Sequence, residues 1–239
     1  MHGWRARIGL LYPSAGLAEP EFQVMAPSGV SFHTTRMRMP KASVGQLKSL
    51  ADNVAEEASL LADAHVNLIA FACTAGSMIG GTGYDQQIIN RIRETTGIEA
   101  TTTTTAVLEA LRELKLEKIS LITPYLPEIN RMEIDFLKNQ NFQVIAERGL
   151  GLDEPLKQLE VSPWRWYKMA SEVAEETRRA GGSGFLISCG GIQVVEMIKA
   201  IEQDTGMYVV TSNQALLWKC LRQKGIHRIV EGFGKLFKI

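Results

Sequence analysis

Two cysteines stand where a thiol could react. Cys73 ends the apolar run Val66-Asn-Leu-Ile-Ala-Phe-Ala and is followed by Thr74-Ala75-Gly76-Ser77. Cys189 ends Gly184-Phe-Leu-Ile-Ser and is followed by Gly190-Gly191. Each segment reads as a buried strand that runs into a loop of small residues and then into a helical pattern. In open α/β sheets the carboxyl ends of strands are where ligands bind. Loop amides and a helix N-terminus can hold an anion there and lower a thiol's pKa, so that either cysteine could act as base or nucleophile near neutral pH. A single cysteine more often just fills space in a core. Two in matching surroundings, 116 residues apart, point instead to a pair facing each other across one substrate. The chemistry such a pair suits is covalent thiol or carbanion chemistry beside a carboxylate, without a cofactor.

The neighbours fit that reading. Thr74, Gly76 and Ser77 after one cysteine, and Gly190 and Gly191 after the other, leave backbone N–H groups that could bind a carboxylate or enediolate oxygen. The same residue types also make ordinary turns and N-caps. Gly80-Gly81-Thr82-Gly83 lacks the Gly-Lys-Ser/Thr of a phosphate loop, which argues against a nucleotide. His2, His33, His65 and His227 are scattered without ligand spacing and no Cys-x-x-Cys occurs, so no metal is expected. Arg36 and Arg38 beside His33 could attract an anion, although alternating charges on a strand usually face water. Cys220, within Ala215-Leu-Leu-Trp-Lys-Cys-Leu, reads as core.

The elements that must position these residues alternate between strand and helix. Strands are expected at 7–12, 30–38, 66–73, 118–123, 142–146, 184–189 and 208–211. Helices are expected at 46–64, 85–95, 106–114, 127–139, 163–180 and 193–205, with a last one from Asn213. Such alternation argues for parallel sheets covered on both faces. The repeated cysteine segment divides the chain into two pseudo-equivalent lobes, one over 1–105 with 211–239 returning to it and one over 106–210.

The chain's 239 residues can bury a substantial core as one domain or two lobes. Lys+Arg and Asp+Glu balance at 26 each, so no global field favours nucleic acid or a membrane surface, and an acidic substrate must be held locally. No stretch approaches a membrane span, and the opening apolar run is too short for a signal peptide. Three cysteines fit reduced thiols, hence a cytoplasmic protein, better than a disulfide framework.

The sequence resembles the aspartate/glutamate racemase superfamily over nearly its whole length, in the branch that holds maleate isomerases and arylmalonate decarboxylases. Arg7-Ile-Gly-Leu-Leu-Tyr-Pro-Ser14, Phe32-His-Thr-Thr-Arg-Met-Arg-Met39 and Asp63-Ala-His-Val-Asn-Leu-Ile-Ala-Phe-Ala-Cys73, with Gly83-Tyr84, are similar to the isomerases. Thr101 to Leu111, Tyr125, Asn130 and Leu186-Ile-Ser-Cys189-Gly-Gly are closer to the decarboxylases. The resemblance implies two pseudo-symmetric three-layer α/β lobes with mostly parallel sheets, an active site in the cleft between them, no cofactor and a homo-oligomer.

It further implies that Cys73 would attack a double bond as a thiolate while Cys189 exchanges a proton. Maleate would then become fumarate by addition, bond rotation and elimination. Ser14, Thr74 and Tyr125, with Gly190 and Gly191, would line the carboxylate-binding region. Cysteine at both positions favours an isomerase over a simple decarboxylase, which in this branch has glycine at the first. An arylmalonate-type decarboxylase or a racemase working through an enediolate is the alternative, and a non-catalytic small-acid binding protein is another. The chain departs from the isomerases at Ser14-Ala15-Gly16 and at Gly149 to Leu156, where an asparagine is expected in each, and this leaves the substrate's second substituent open.

Overall fold

The computed structural model describes residues 2–239. In the first half lie β1 (Ala6–Pro13), α1 (Pro20–Met25), β2 (Val30–Met37), α2 (Val44–Ser49), α3 (Val54–Asp63), β3 (Leu68–Phe71), α4 (Thr74–Met78), α5 (Tyr84–Thr96) and β4 (Ala100–Thr102). Next come α6 (Thr103–Glu113), β5 (Lys118–Thr123), α7 (Pro127–Asn139), β6 (Gln143–Gly149), α8 (Pro155–Leu159), α9 (Pro163–Arg179) and β7 (Gly184–Ile187). A 3-10 turn (Val195–Met197), α10 (Ile198–Thr205), β8 (Tyr208–Thr211), α11 (Ser212–Gln223) and a second 3-10 turn (Leu236–Lys238) complete the chain.

The strands form two four-stranded sheets, ordered β2-β1-β3-β4 and β6-β5-β7-β8, and every pairing in both is parallel. The two orders are the same topology written twice, and β3 and β7 occupy the same place in each. Both are wholly buried four-residue runs, Leu-Ile-Ala-Phe and Gly-Phe-Leu-Ile, as inner parallel strands must be. Helices α6 and α11, which follow the edge strands β4 and β8, pack against each other.

The short helices α1, α4 and α8 lie outside every expected helix, and three further elements differ from the sequence expectation. The helix expected over 46–64 is two helices, α2 and α3, separated by a turn at 50–53. Leu50 and Ala51 are buried in that turn, and Arg91 Nη1 donates to the Ala51 carbonyl, which a continuous helix would have used internally. The helix expected over 193–205 starts only at Ile198, because the Val194 and Val195 amides turn away to the carboxylate of Glu21. The third is β4, three residues of threonine and alanine, too short and too polar to give a strand signal. Thr102 then caps α6 by accepting the Thr105 N–H at 3.1 Å, so the helix begins at Thr103 and not at Ala106.

Candidate active site

Cys73 lies two residues beyond β3 and Cys189 two residues beyond β7. The repeated topology therefore brings both thiols to one cavity between the sheets. Thr74, Tyr125, Gly190 and Gly191 line the same cavity. Met39, Ala42 and Leu47 from the first half face Leu152, Pro155 and Gln158 from the second, and the Ala42 N–H donates to the Asp153 carbonyl. No lysine, arginine or histidine is in the lining.

Each sulphur has an amide on it. The Gly191 N–H donates to Cys189 Sγ at 3.2 Å, and the Gly76 N–H bonds to Cys73. A Cβ on Gly76 would stand 3.0 Å from Cys73 Sγ and 3.1 Å from Leu50, so the close approach needs glycine. The Cys189 thiol donates to Gln158 Oε1 at 3.6 Å, and the Tyr125 hydroxyl lies near enough to favour its thiolate.

These donors do not make either group a thiolate. Burial pushes Cys73 up to about 12 and Cys189 up to about 11, the charge of Cys189 adds a penalty at Cys73 while those of Glu133 and Glu21 add one at Cys189, and the amides recover only part of it. The expectation of a thiolate near neutral pH is thus corrected: desolvation outweighs the amides. The same burial, reinforced by Cys189, keeps the phenols of Tyr12 and Tyr125 protonated.

The residues around the thiols are fixed by hydroxyl-rich first turns. Ser212 Oγ, at the start of α11, accepts the Cys189 N–H at 3.0 Å and the Thr74 hydroxyl at 2.8 Å. The start of α6 does the corresponding work for the Cys73 loop. Thr104 Oγ1 donates to the Thr74 carbonyl, Ser77 Oγ accepts the Thr104 N–H, and Thr103 Oγ1 donates to the Phe71 carbonyl. Thr123 Oγ1 accepts the Tyr125 N–H at 3.1 Å while donating to Asn130, which sets the turn that carries Tyr125.

Some expected site residues prove to be scaffold. Ser14 is exposed and outside the cavity lining: its N–H donates to the Met37 carbonyl and its Oγ accepts the Met39 N–H, so it pins the end of β2. The Ser77 N–H is spent on the Cys73 carbonyl. Arg36 pairs with Glu19, bonds the Gly16 carbonyl and lies 5.3 Å from the Tyr12 ring, so it braces a loop instead of meeting an anion. Cys220 is buried within α11 as core.

Sequence reasoning missed Tyr12, Gln158, Ser212, Asn213 and Glu21. The Tyr12 hydroxyl donates to the Gly190 carbonyl at 2.6 Å, and Gln158 Nε2 donates to the Leu152 carbonyl at 2.8 Å. Tyr12 alone carried a signal, as an aromatic at a strand's carboxyl end. The other four sit in helices or helix starts with no motif. Among the described residues no three His, Cys, Asp or Glu side chains converge as a metal site would require.

Fold and site together define a class: a two-lobed parallel α/β protein that presents one thiol from each lobe to a shared, mostly apolar cavity. Within that class the chain belongs to the arylmalonate decarboxylase family, whose model matches residues 8–237. It is 26% identical to a maleate isomerase of Pseudomonas putida over 243 residues, 96% of either chain. It is 25% identical to the arylmalonate decarboxylase of Bordetella bronchiseptica over 232 residues, 96% of this chain and 95% of that one. The fold matches that of a Nocardia farcinica maleate cis-trans isomerase variant with a covalently bound succinylcysteine intermediate, with a TM-score of 0.88 at 22% identity over 97% of this chain and 98% of that one.

Proposed function

We propose that the protein is a two-cysteine isomerase of a small carboxylate, in its most concrete form converting maleate to fumarate. The observation that carries this reading is the pair of thiols at matching strand ends on one cavity. In this mechanism Cys73 first releases its proton to solvent, and its thiolate then adds to the double bond and forms a C–S bond. The displaced π pair becomes an enediolate at the neighbouring carbon, which takes the proton of Cys189. The former double bond, now single, rotates. Cys189 then removes the proton, the double bond re-forms in the other geometry, and the C–S bond breaks to return the Cys73 thiolate. Tyr125 and the loop amides around Thr74 and Gly190 hold the enediolate oxygens, since charge developing in a dry cavity gains most from preset donors.

A second reading has its own support. Tyr12 and Thr74 already spend their hydroxyl hydrogens within the protein, Gln158 spends one of its two amide hydrogens on Leu152, and much of the remaining lining is leucine, isoleucine, proline, alanine and methionine. A wall of this kind suits an apolar substituent better than a second carboxylate, which favours an arylmalonate-type decarboxylation or a racemisation through an enediolate protonated by Cys189.

Proton NMR of maleate in heavy water, run beside the two cysteine variants, tests the first reading. Fumarate should form with the intact pair, Cys189→Ala should abolish conversion, and Cys73→Ser should leave almost none. Full activity in either variant would rule out the two-thiol mechanism. Carbon dioxide release and deuterium uptake from phenylmalonate, with no change in maleate, would select the second reading.

A further inference from the structure

Glu21 is 7% exposed and belongs to α1 in the first half of the chain, yet all the partners of its side chain are in the second half. Its Oε1 accepts the Val194 N–H at 2.6 Å and the Val195 N–H at 3.0 Å, and its Oε2 accepts Asn213 Nδ2 at 2.8 Å. The other N–H of Asn213 reaches the Gly190 carbonyl at 3.3 Å, the same oxygen that takes the Tyr12 hydroxyl. The segment from Cys189 to Val195 is therefore held at Cys189 N by Ser212, at the Gly190 carbonyl by Tyr12 and Asn213, and at its far end by Glu21. Between the anchors lies Gly191, whose N–H is on the Cys189 sulphur.

Burying a carboxylate is expensive, and a packed apolar residue would stabilise the fold at least as well. What a carboxylate adds is three directed, charge-assisted acceptor bonds, two to the loop and one to the Asn213 that also holds it. We propose that Glu21 is a positioning residue, an anchor supplied across the cleft that holds the Cys189 loop so that the thiol faces the cavity with the Gly191 amide on it. Glu21 does not line the cavity itself, so it acts only through the loop. That Cys189 reacts with substrate is the reading given above; the anchor can be judged without any substrate.

The experiment compares wild type, Glu21→Gln and Asn213→Ala by amide hydrogen exchange and by iodoacetamide alkylation, both followed by peptide mass spectrometry. Glutamine keeps the size but turns one acceptor into a donor, leaving either the valine amides or Asn213 unpaired. Exchange over 189–197 and alkylation of Cys189 should each rise about tenfold in Glu21→Gln, as the loop opens locally. Alkylation of Cys73 and Cys220 should not change, which separates loss of the anchor from a general loosening. Asn213→Ala should move the same two readouts in the same direction, and it serves alone if Glu21→Gln does not fold. Unaltered exchange and Cys189 alkylation would overturn the anchor, as would equal acceleration at all three cysteines. Loss of turnover in Cys189→Ala is a separate result that bears only on the reaction.

Discussion

At the scale of single residues, the site turns on two thiols whose surroundings pull in opposite directions. Amides from Gly76 and Gly191 favour the thiolate, and burial disfavours it more strongly. Burial therefore favours the thiol form of both Cys73 and Cys189 at neutral pH, which suits Cys189 as proton donor and means that Cys73 must be deprotonated before it can add. Iodoacetamide alkylation of the two residues should still be accelerating between pH 8 and pH 10, because only the thiolate reacts. A rate that levels off by pH 8 at either cysteine would contradict the burial argument. Tyr125 is the side chain with most leverage on Cys189, since its hydroxyl stabilises the thiolate that forms when the proton is given up.

At the scale of elements, the thiols are placed by the first turns of α6 and α11. Both helices follow a sheet's edge strand directly, with a threonine cap and no intervening loop, and α11 adds a full capping box between Thr211 and Gln214. Their first residues then offer hydroxyls and amides to the cysteine loops. Ser212 is the link between the halves, because one oxygen accepts from both Thr74 and Cys189. Ser212→Ala leaves those two donors buried and unpaired. The variant should be destabilised by about 2–4 kcal/mol, counting roughly 1–3 for each orphaned donor with partial relaxation, as read by urea unfolding. A loss below about 0.5 kcal/mol, the range of an ordinary surface change, would mean that the hydroxyl is not the link described.

At the scale of the whole molecule, buried carboxyls couple stability to pH. Glu133 of α7 is 2% exposed, accepts the Ser188 hydroxyl at 2.6 Å, and is raised by burial from 4.5 to about 7. Glu21 is raised to about 7 for the same reason, and its hydrogen bonds offset only part of the shift. A carboxyl with a raised folded pKa holds its proton in the folded state after the unfolded chain has released it. Its contribution to stability is thus present below about pH 4.5 and is lost as the pH rises through about 7. For Glu133 alone the loss amounts to about 3 kcal/mol, at about 1.4 kcal/mol per unit. Glu133→Gln keeps the bond from Ser188 and removes the titration. Its unfolding free energy should therefore fall less between pH 5 and pH 8 than that of wild type by about that amount. Equal falls in the two proteins would show that Glu133 titrates normally.

By itself the sequence determined the alternation of buried strands and helices, the repeat, and the two cysteines at the ends of β3 and β7, because short apolar runs and small-residue loops are local signals. It could not tell that Ser14 turns its hydroxyl to the Met39 N–H and away from the cavity, since a serine in a turn reads the same whichever way its side chain faces. Nor could it show the break between α2 and α3, where Arg91 takes a carbonyl forty residues away. The tertiary structure alone decided that Tyr12 meets Gly190, Thr74 meets Ser212 and Glu21 meets Asn213, at separations of 178, 138 and 192 residues. It also decided the protonation of the thiols. Amides near a cysteine can be read from its neighbours in sequence, but the desolvation that outweighs them is imposed by two lobes closing over it from opposite ends of the chain.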